Sequence, residues 1–239
     1  MNKGKYVATE EGSAQGNIIS PVLANIYMHF VLVLWYKEIV QKRAKGDTFL
    51  VVYADDFITG FQYKYEAEAY YEVLKNRMSK FGLELEESKS RLLEFGRYAE
   101  GNRKARGERK PETFDFLGFT FYCSKSRSGK FSVKLKTSKK KFRQKVKAMK
   151  VWLYQNRDIK VSDLMEQVKI KLIGHYRYYG ISHNGRMISC FRQRTIDFLY
   201  KILNRRSHKK SYTVEGFKEM LKVYKLPYPK IYISLFDWK

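Results

Sequence analysis

Cysteine is nearly absent from this chain. Cys123 and Cys190 are the only two, and neither belongs to a Cys-x-x-Cys spacing. That argues against a zinc ribbon and leaves a reducing, cytoplasmic setting as the default. The four histidines, His29, His175, His183 and His208, show no metal-ligand spacing either. Long apolar runs are missing. The most apolar stretch, Phe30 to Tyr36, is too short to span a bilayer. The polar start, Met1-Asn2-Lys3-Gly4-Lys5-Tyr6, has no signal-like core, so no membrane partner is expected. There is no long repeat and no low-complexity tract. Acid is scarce, but in one region only. Residues 1–100 carry 13 Lys+Arg and 14 Asp+Glu, whereas residues 101–239 carry 35 and 10.

The formal charge of +24 points to a polyanionic partner, nucleic acid or a membrane surface. Its uneven placement divides the chain into a near-neutral part and a strongly basic part. An apolar content of 44% predicts a real core, and 19 Tyr and 16 Phe are available to build it. At 239 residues there is room for one large domain or two small ones.

Ser20-Pro21 reads as a helix start, with Ser20 as N-cap and Pro21 in the first turn. Leu23, Ile26, Tyr27, Phe30 and Leu34 then recur at helical spacing, and the helix runs to about Lys42. Residues 64–80 form a second amphipathic helix on Ala67, Tyr70, Tyr71, Leu74, Arg77 and Met78, ended by Gly82. Leu83 to Glu86 and Arg91 to Phe95 alternate as short strands. Residues between Tyr98 and Pro111 read as an exposed loop. Phe114 to Tyr122 is a strand, and Phe131 to Leu135 is its hairpin partner. Helices follow at about 138–156, 161–178, 187–206 and 213–223, with Ser162 and Thr213 as N-caps and Gly180 and Gly185 marking a break. Pro227 and Pro229 close the helical region.

The segment of chemical interest is Thr48-Phe49-Leu50-Val51-Val52-Tyr53-Ala54-Asp55-Asp56-Phe57-Ile58-Thr59-Gly60-Phe61. Two carboxylates lie between two β-forming runs, the pattern of a hairpin with acid at its tip. Adjacent carboxylates suit a hard divalent cation such as magnesium, and magnesium suits phosphoryl transfer. An ordinary Asp-Asp surface turn is the competing reading.

Three further blocks bear on that choice. Gly12-Ser13-Ala14-Gln15-Gly16-Asn17-Ile18-Ile19-Ser20-Pro21 lies upstream. Phe81-Gly82-Leu83-Glu84-Leu85 with Lys89 and Arg91, then Phe114-Asp115-Phe116-Leu117-Gly118-Phe119, lie downstream. In this order and at these spacings, the chain resembles the palm and thumb of group II intron reverse transcriptases, or maturases. The resemblance implies an α+β fold: a partial palm, with antiparallel sheet and packed helices, over 1–136, then a helical, basic thumb/maturase domain over 137–239. It implies RNA-directed DNA synthesis with Mg2+, a dNTP substrate, a DNA primer and RNA as template and as intron partner.

The resemblance also assigns roles. Asp55 and Asp56 would bind metal and catalyse. Tyr53, Ala54, Gln15, Gly16 and Lys89 would lie near nucleotide or primer end. Phe116 and Gly118 would support the primer, although a core strand with a bulge explains them equally. By their charge alone, Lys134, Lys136, Lys139, Lys140, Lys141, Arg143, Lys145 and Lys147, around the start of the first thumb helix, suit RNA backbone contact, and Gly174-His175-Tyr176-Arg177-Tyr178-Tyr179-Gly180 resembles a maturase segment in which Arg177 is the preferred RNA contact. Trp152, Tyr154, Tyr176, Tyr178 and Tyr179 read as base-stacking or as core. Ala14 and Asn17 stand where the family usually has Pro and Gly. A third carboxylate and the fingers would precede the Gln-Gly block, so the expectation is an N-terminally truncated form with weak or no activity, completed by a separate fingers and upper-palm half. A rival function is RNA binding in splicing without polymerase chemistry.

Overall fold

The computed structural model describes residues 19–206 and 211–236. The chain is mixed α+β and falls into two compact units, divided between Glu94 and Phe95. This packing division is separate from the palm–thumb boundary expected near 136. The packing differs because the strands after residue 113 share a core with the helices that follow: Phe119 and Leu135 are buried in one cluster with Leu153, Leu172, Tyr176 and Phe191.

In the first unit, helix α1 (Ser20–Arg43) is followed by strands β1 (Thr48–Tyr53) and β2 (Asp56–Phe61), then helix α2 (Lys64–Lys80). Pro21 sits in the first turn as expected, but Ile19 occupies the N-cap and Ser20 is already helical. Two stretches of α1, His29–Leu34 and Tyr36–Val40, are π-helical. The wider turn leaves carbonyls open to other donors. Arg77 of α2 answers there, donating from Nε to Val31 O at 2.5 Å and from Nη2 to Phe30 O at 3.3 Å. Its guanidinium also lies over Trp35, 4.9 Å from the ring centre. Val31, Leu32 and Tyr36 thereby meet Tyr70, Leu74 and Met78 in the core. By length and composition α1 could cross a membrane, a property its interrupted apolar runs conceal. Gly82, at φ 65°, ends α2, and Leu83 N–H returns to Met78 O at 2.9 Å.

Residues 83–95 form no strand, contrary to the alternation in sequence. Leu83 and Leu85 pack on the first core, but the segment has no partner ladder among the described residues. Alternation alone does not supply a strand with a neighbour.

The second unit opens with a short helix α3 (Ala99–Ala105) where the sequence suggests a loop. Arg103 and Arg106 both pair with Glu108 and steady its end. A three-stranded antiparallel sheet follows: β3 (Phe114–Phe116), β4 (Phe119–Lys125) and β5 (Phe131–Thr137), in that order. The single strand expected over 114–122 is therefore a hairpin. Its two-residue turn, Leu117-Gly118, has φ of 49° and 80°, the all-positive geometry that matches strand twist.

Helices α4 (Lys139–Gln155), α5 (Val161–Tyr179), α6 (Gly185–Leu203) and α7 (Val214–Tyr224) complete the unit. Thr213 caps α7 as predicted, accepting from Gly216 N–H at 3.1 Å. Lys160, not Ser162, holds the N-cap position of α5, and the Ser162 hydroxyl donates to Asp163. Asn184 is fully buried between elements. Its Oδ1 accepts from Thr137 N–H at 2.7 Å, and its Nδ2 donates to Thr137 Oγ1 and Tyr179 O, each at 2.8 Å. One amide thus joins β5, α5 and α6.

His175 is buried in the same core, stacked on Phe191 with ring centres 3.7 Å apart, and its Nε2 has no hydrogen-bond partner. Burial, then the charge of Lys145, pushes its pKa down to about 4. The unfolded chain therefore binds the proton more readily. The resulting stability is complete above about pH 6.5 and is lost as pH falls toward about 4. We expect His175→Phe to remove about 3 kcal/mol of that pH dependence between pH 7 and 4. Urea unfolding of both proteins across the range checks it; identical pH slopes would contradict it.

Candidate active-site hairpin and nucleic-acid surface

Strands β1 and β2 pair in register from Thr48↔Phe61 to Tyr53↔Asp56, leaving Ala54 and Asp55 as the turn. Alternation sorts the side chains into two faces. Leu50, Val52, Phe57 and Phe61 pack on the first core. Phe49, Val51 and Tyr53 face outward, exposed by 58%, 46% and 63%. Phe49 lies across Gly60, its cross-strand partner, where any Cβ would collide with the ring. Thr48 Oγ1 donates to Gly60 O at 2.9 Å and pairs with Tyr36 OH at 2.5 Å, anchoring the open end of the hairpin on α1.

The tip carries the chemistry. Ala54 has φ 53°, a left-handed conformation that costs a non-glycine residue about 1–2 kcal/mol. Such strain beside two acids is a mark of a functional turn. Asp55 and Asp56 are both exposed, and neither carboxylate has a hydrogen-bond or ion-pair partner among the described residues. An ordinary Asp turn spends its carboxylate on nearby amides; these two are open. Their hard oxygen donors fit a divalent cation as part of its shell. Among the described residues no cluster of three or more candidate ligands surrounds them.

Lys89 is exposed and held by Glu86. It sits in a turn, with its amide donating to Glu86 O at 3.0 Å and its ammonium 3.9 Å from Glu86 Oε2. Gln15 and Gly16 lie outside the described residues.

In the second unit Phe116 and Gly118 belong to the β3–β4 hairpin rather than to a continuous strand. Phe116 pairs with Phe119 across the turn. Gly118 O accepts from Ser138 N–H at 2.9 Å, and a Cβ at Gly118 would lie 3.6 Å from Lys141 Cγ and 3.5 Å from Tyr179 OH. Tyr178 OH donates to Leu117 O at 3.1 Å. The predicted residues Gly118 and Lys141 are thus brought together with the end of α5, where Arg177 is exposed.

Helix α4 packs by Phe142, Val146, Met149 and Leu153. Lys140, Arg143, Lys147, Lys150 and Tyr154 follow at intervals of three and four, one continuous stripe away from that core. The helical period adds Lys150 to the basic cluster expected around the helix start and aligns it with Tyr154. None of these cations has an ion-pair partner among the described residues, and the first turn holds no acid. Cations at a helix N-terminus oppose the macrodipole, and like charges four apart repel. Of the aromatic candidates, Tyr176 and Tyr179 are core, whereas Tyr154 and Tyr178 are exposed by 55% and 56%. Trp152 is half-buried beneath Lys171, whose Nζ is 4.4 Å from the ring centre.

A search of curated proteins finds no match to this chain. Residues 1–121 match the reverse transcriptase (RNA-dependent DNA polymerase) family, a span that contains the acidic hairpin, both helices of the first unit and the β3–β4 turn. That match covers just over half of the sequence, and the chain belongs to the reverse transcriptase family.

Proposed function

We propose that this chain is the palm and thumb portion of a group II intron type reverse transcriptase with a maturase role. The observation that carries the reading is the pair of open carboxylates, Asp55 and Asp56, on a strained hairpin tip. In this reading they hold Mg2+, which when bound would neutralise charge on the attacking and leaving oxygens of nucleotidyl transfer. Tyr53, exposed beside them, bears on the primer end or the incoming dNTP. Gln15, Gly16 and Lys89 approach nucleotide or template. The α4 stripe takes the backbone of the RNA–DNA duplex, and Arg177 contacts intron RNA.

Two carboxylates are a partial set for two metals. We infer that a fingers and upper-palm segment supplies the remaining one. The first unit offers a surface suited to such a segment: Val22, Leu23, Ile26 and Phe30 of α1 are each at least half exposed, and Phe49, Val51 and Tyr53 are exposed by 46% to 63%. Apolar faces of this kind normally have cover. Both strands of the β1–β2 sheet also lack a further neighbour among the described residues.

A second reading, RNA binding in splicing without synthesis, is favoured by the cations of α4 that have no ion-pair partner among the described residues. One experiment separates them. Primer extension on RNA with Mg2+ is measured for the chain alone and with a supplied fingers and upper-palm fragment. We expect synthesis only with the fragment, and its loss by a factor of a thousand or more in Asp55→Asn or Asp56→Asn, in line with removal of a metal-stabilised charge. RNA binding should survive both substitutions. No synthesis with an associated fragment would favour the RNA-binding reading.

The stripe makes opposite demands on stability and binding. Changing Lys140, Arg143, Lys147 and Lys150 together to Gln should raise the thermal midpoint in the absence of nucleic acid. It should also weaken duplex binding and reduce the salt slope by about 3. An unchanged slope, read from titrations at several salt concentrations, would place the duplex elsewhere.

A further inference from the structure

The segment after α7 is a strap tied down at both ends. Leu226 is buried, and Arg192 of α6 donates from Nε to Pro227 O at 3.1 Å and from Nη2 to Leu226 O at 3.5 Å. Tyr176 OH adds a bond to Pro227 O at 3.2 Å. Beyond, the amides of Tyr232 and Ile233 both donate to Gly180 O, at 2.6 and 3.1 Å, and Ser182 N–H donates to Ile233 O at 3.0 Å. Gly180 is required for this approach, because a Cβ there would strike Lys230 O.

Between the ties the backbone is stiff and the side chains are open. Pro227 and Pro229 fix their own φ, and each restricts the residue before it to extended conformations. Tyr228, held between them, is 78% exposed. The Arg192 guanidinium covers one side of its ring at 4.3 Å from the centre. Two residues on, Lys230 is exposed and its ammonium lies 5.5 Å from the centre of Tyr232, itself 46% exposed. Phe236 follows at 73% exposure. Tyrosines are thus presented from a preorganised backbone, each with a cation against its ring. Ordering costs on binding are small for such a segment.

We propose that this strap is a platform for single-stranded nucleic acid, with bases stacking on Tyr228 and Tyr232 and phosphates meeting Lys230 and Arg192. Exposed rings interleaved with cations are how unpaired strands are held without sequence preference. The excess of 35 Lys+Arg over 10 Asp+Glu in residues 101–239 favours a polyanion over a protein partner. The inference rests on the use of nucleic acid proposed above, but it concerns a different surface and a different form of the ligand from the α4 stripe.

The test uses the whole chain and oligonucleotides of about ten nucleotides carrying 2-aminopurine, as RNA and as DNA, with an RNA–DNA duplex for comparison. Tyr228→Leu and Tyr232→Leu keep apolar bulk at exposed positions, and circular dichroism verifies their folding. We expect 2-aminopurine quenching with single strands by the native chain. Each substitution should weaken single-strand affinity about tenfold or more, while duplex affinity changes less than twofold. The sugar preference distinguishes an RNA site from a DNA site. Unchanged single-strand affinity and quenching in the double variant would overturn the platform while leaving the duplex surface standing. Loss of self-association with intact strand binding would instead make the rings a protein contact. Failure of the native chain to bind single strand and duplex alike would remove both readings.

Discussion

Along α4, Lys140, Arg143, Lys147 and Lys150 repel one another with no ion-pair partner among the described residues, and the positive end of the helix adds to the repulsion. At the hairpin tip the sign is reversed: Asp55 and Asp56 stand side by side with no ion-pair partner among the described residues. Charge left uncompensated in both units is the constraint on which the functional reading depends. A folded chain tolerates it at the surface, where water screens each group, but it lowers the free energy of any state in which a counter-charge arrives. In the proposed function that counter-charge is a phosphate backbone for the helix and a divalent cation for the hairpin.

The rest of the architecture holds these charges in place. In the first unit, Arg77 satisfies the carbonyls freed by the π-helical turns of α1 and locks α1 against α2. That packing buries one face of the β1–β2 sheet and leaves the tip projecting into solvent. In the second unit, Asn184 ties β5 to the ends of α5 and α6, so the start of α4 is fixed relative to the Leu117-Gly118 turn. Breaking one partner of a buried amide network leaves the others unsatisfied, which costs about 1–3 kcal/mol per group.

Much of this was legible in the sequence. The hairpin announced itself by two β-branched runs around Asp55-Asp56, and α2 by its period and terminal glycine. The four C-terminal helices followed from periodicity and from Thr213. What escaped depends on partners distant in sequence. Leu83 to Phe95 alternates like a strand but finds no neighbour. Leu117-Gly118 is a tight turn although Leu is a poor left-handed residue, because Ser138 N–H and Tyr178 OH fix its carbonyls from outside. The packing unit that begins at Phe95 was not visible either, because burial of Phe119 and Leu135 with the later helices is a tertiary fact. The stripe on α4 was present in the numbers 140, 143, 147, 150 and 154 and needed only the helical period to be read to its end.

The central claim is that the hairpin carboxylates hold a divalent cation. The most direct measurement is paramagnetic broadening by Mn2+ of amide resonances in the isotopically labelled chain. The account predicts selective broadening of Ala54, Asp55, Asp56 and Phe57 at low Mn2+, reversed by excess Mg2+ and absent in the Asp55→Asn, Asp56→Asn double variant. Broadening that is uniform over the surface acids, or unchanged in the double variant, would contradict it.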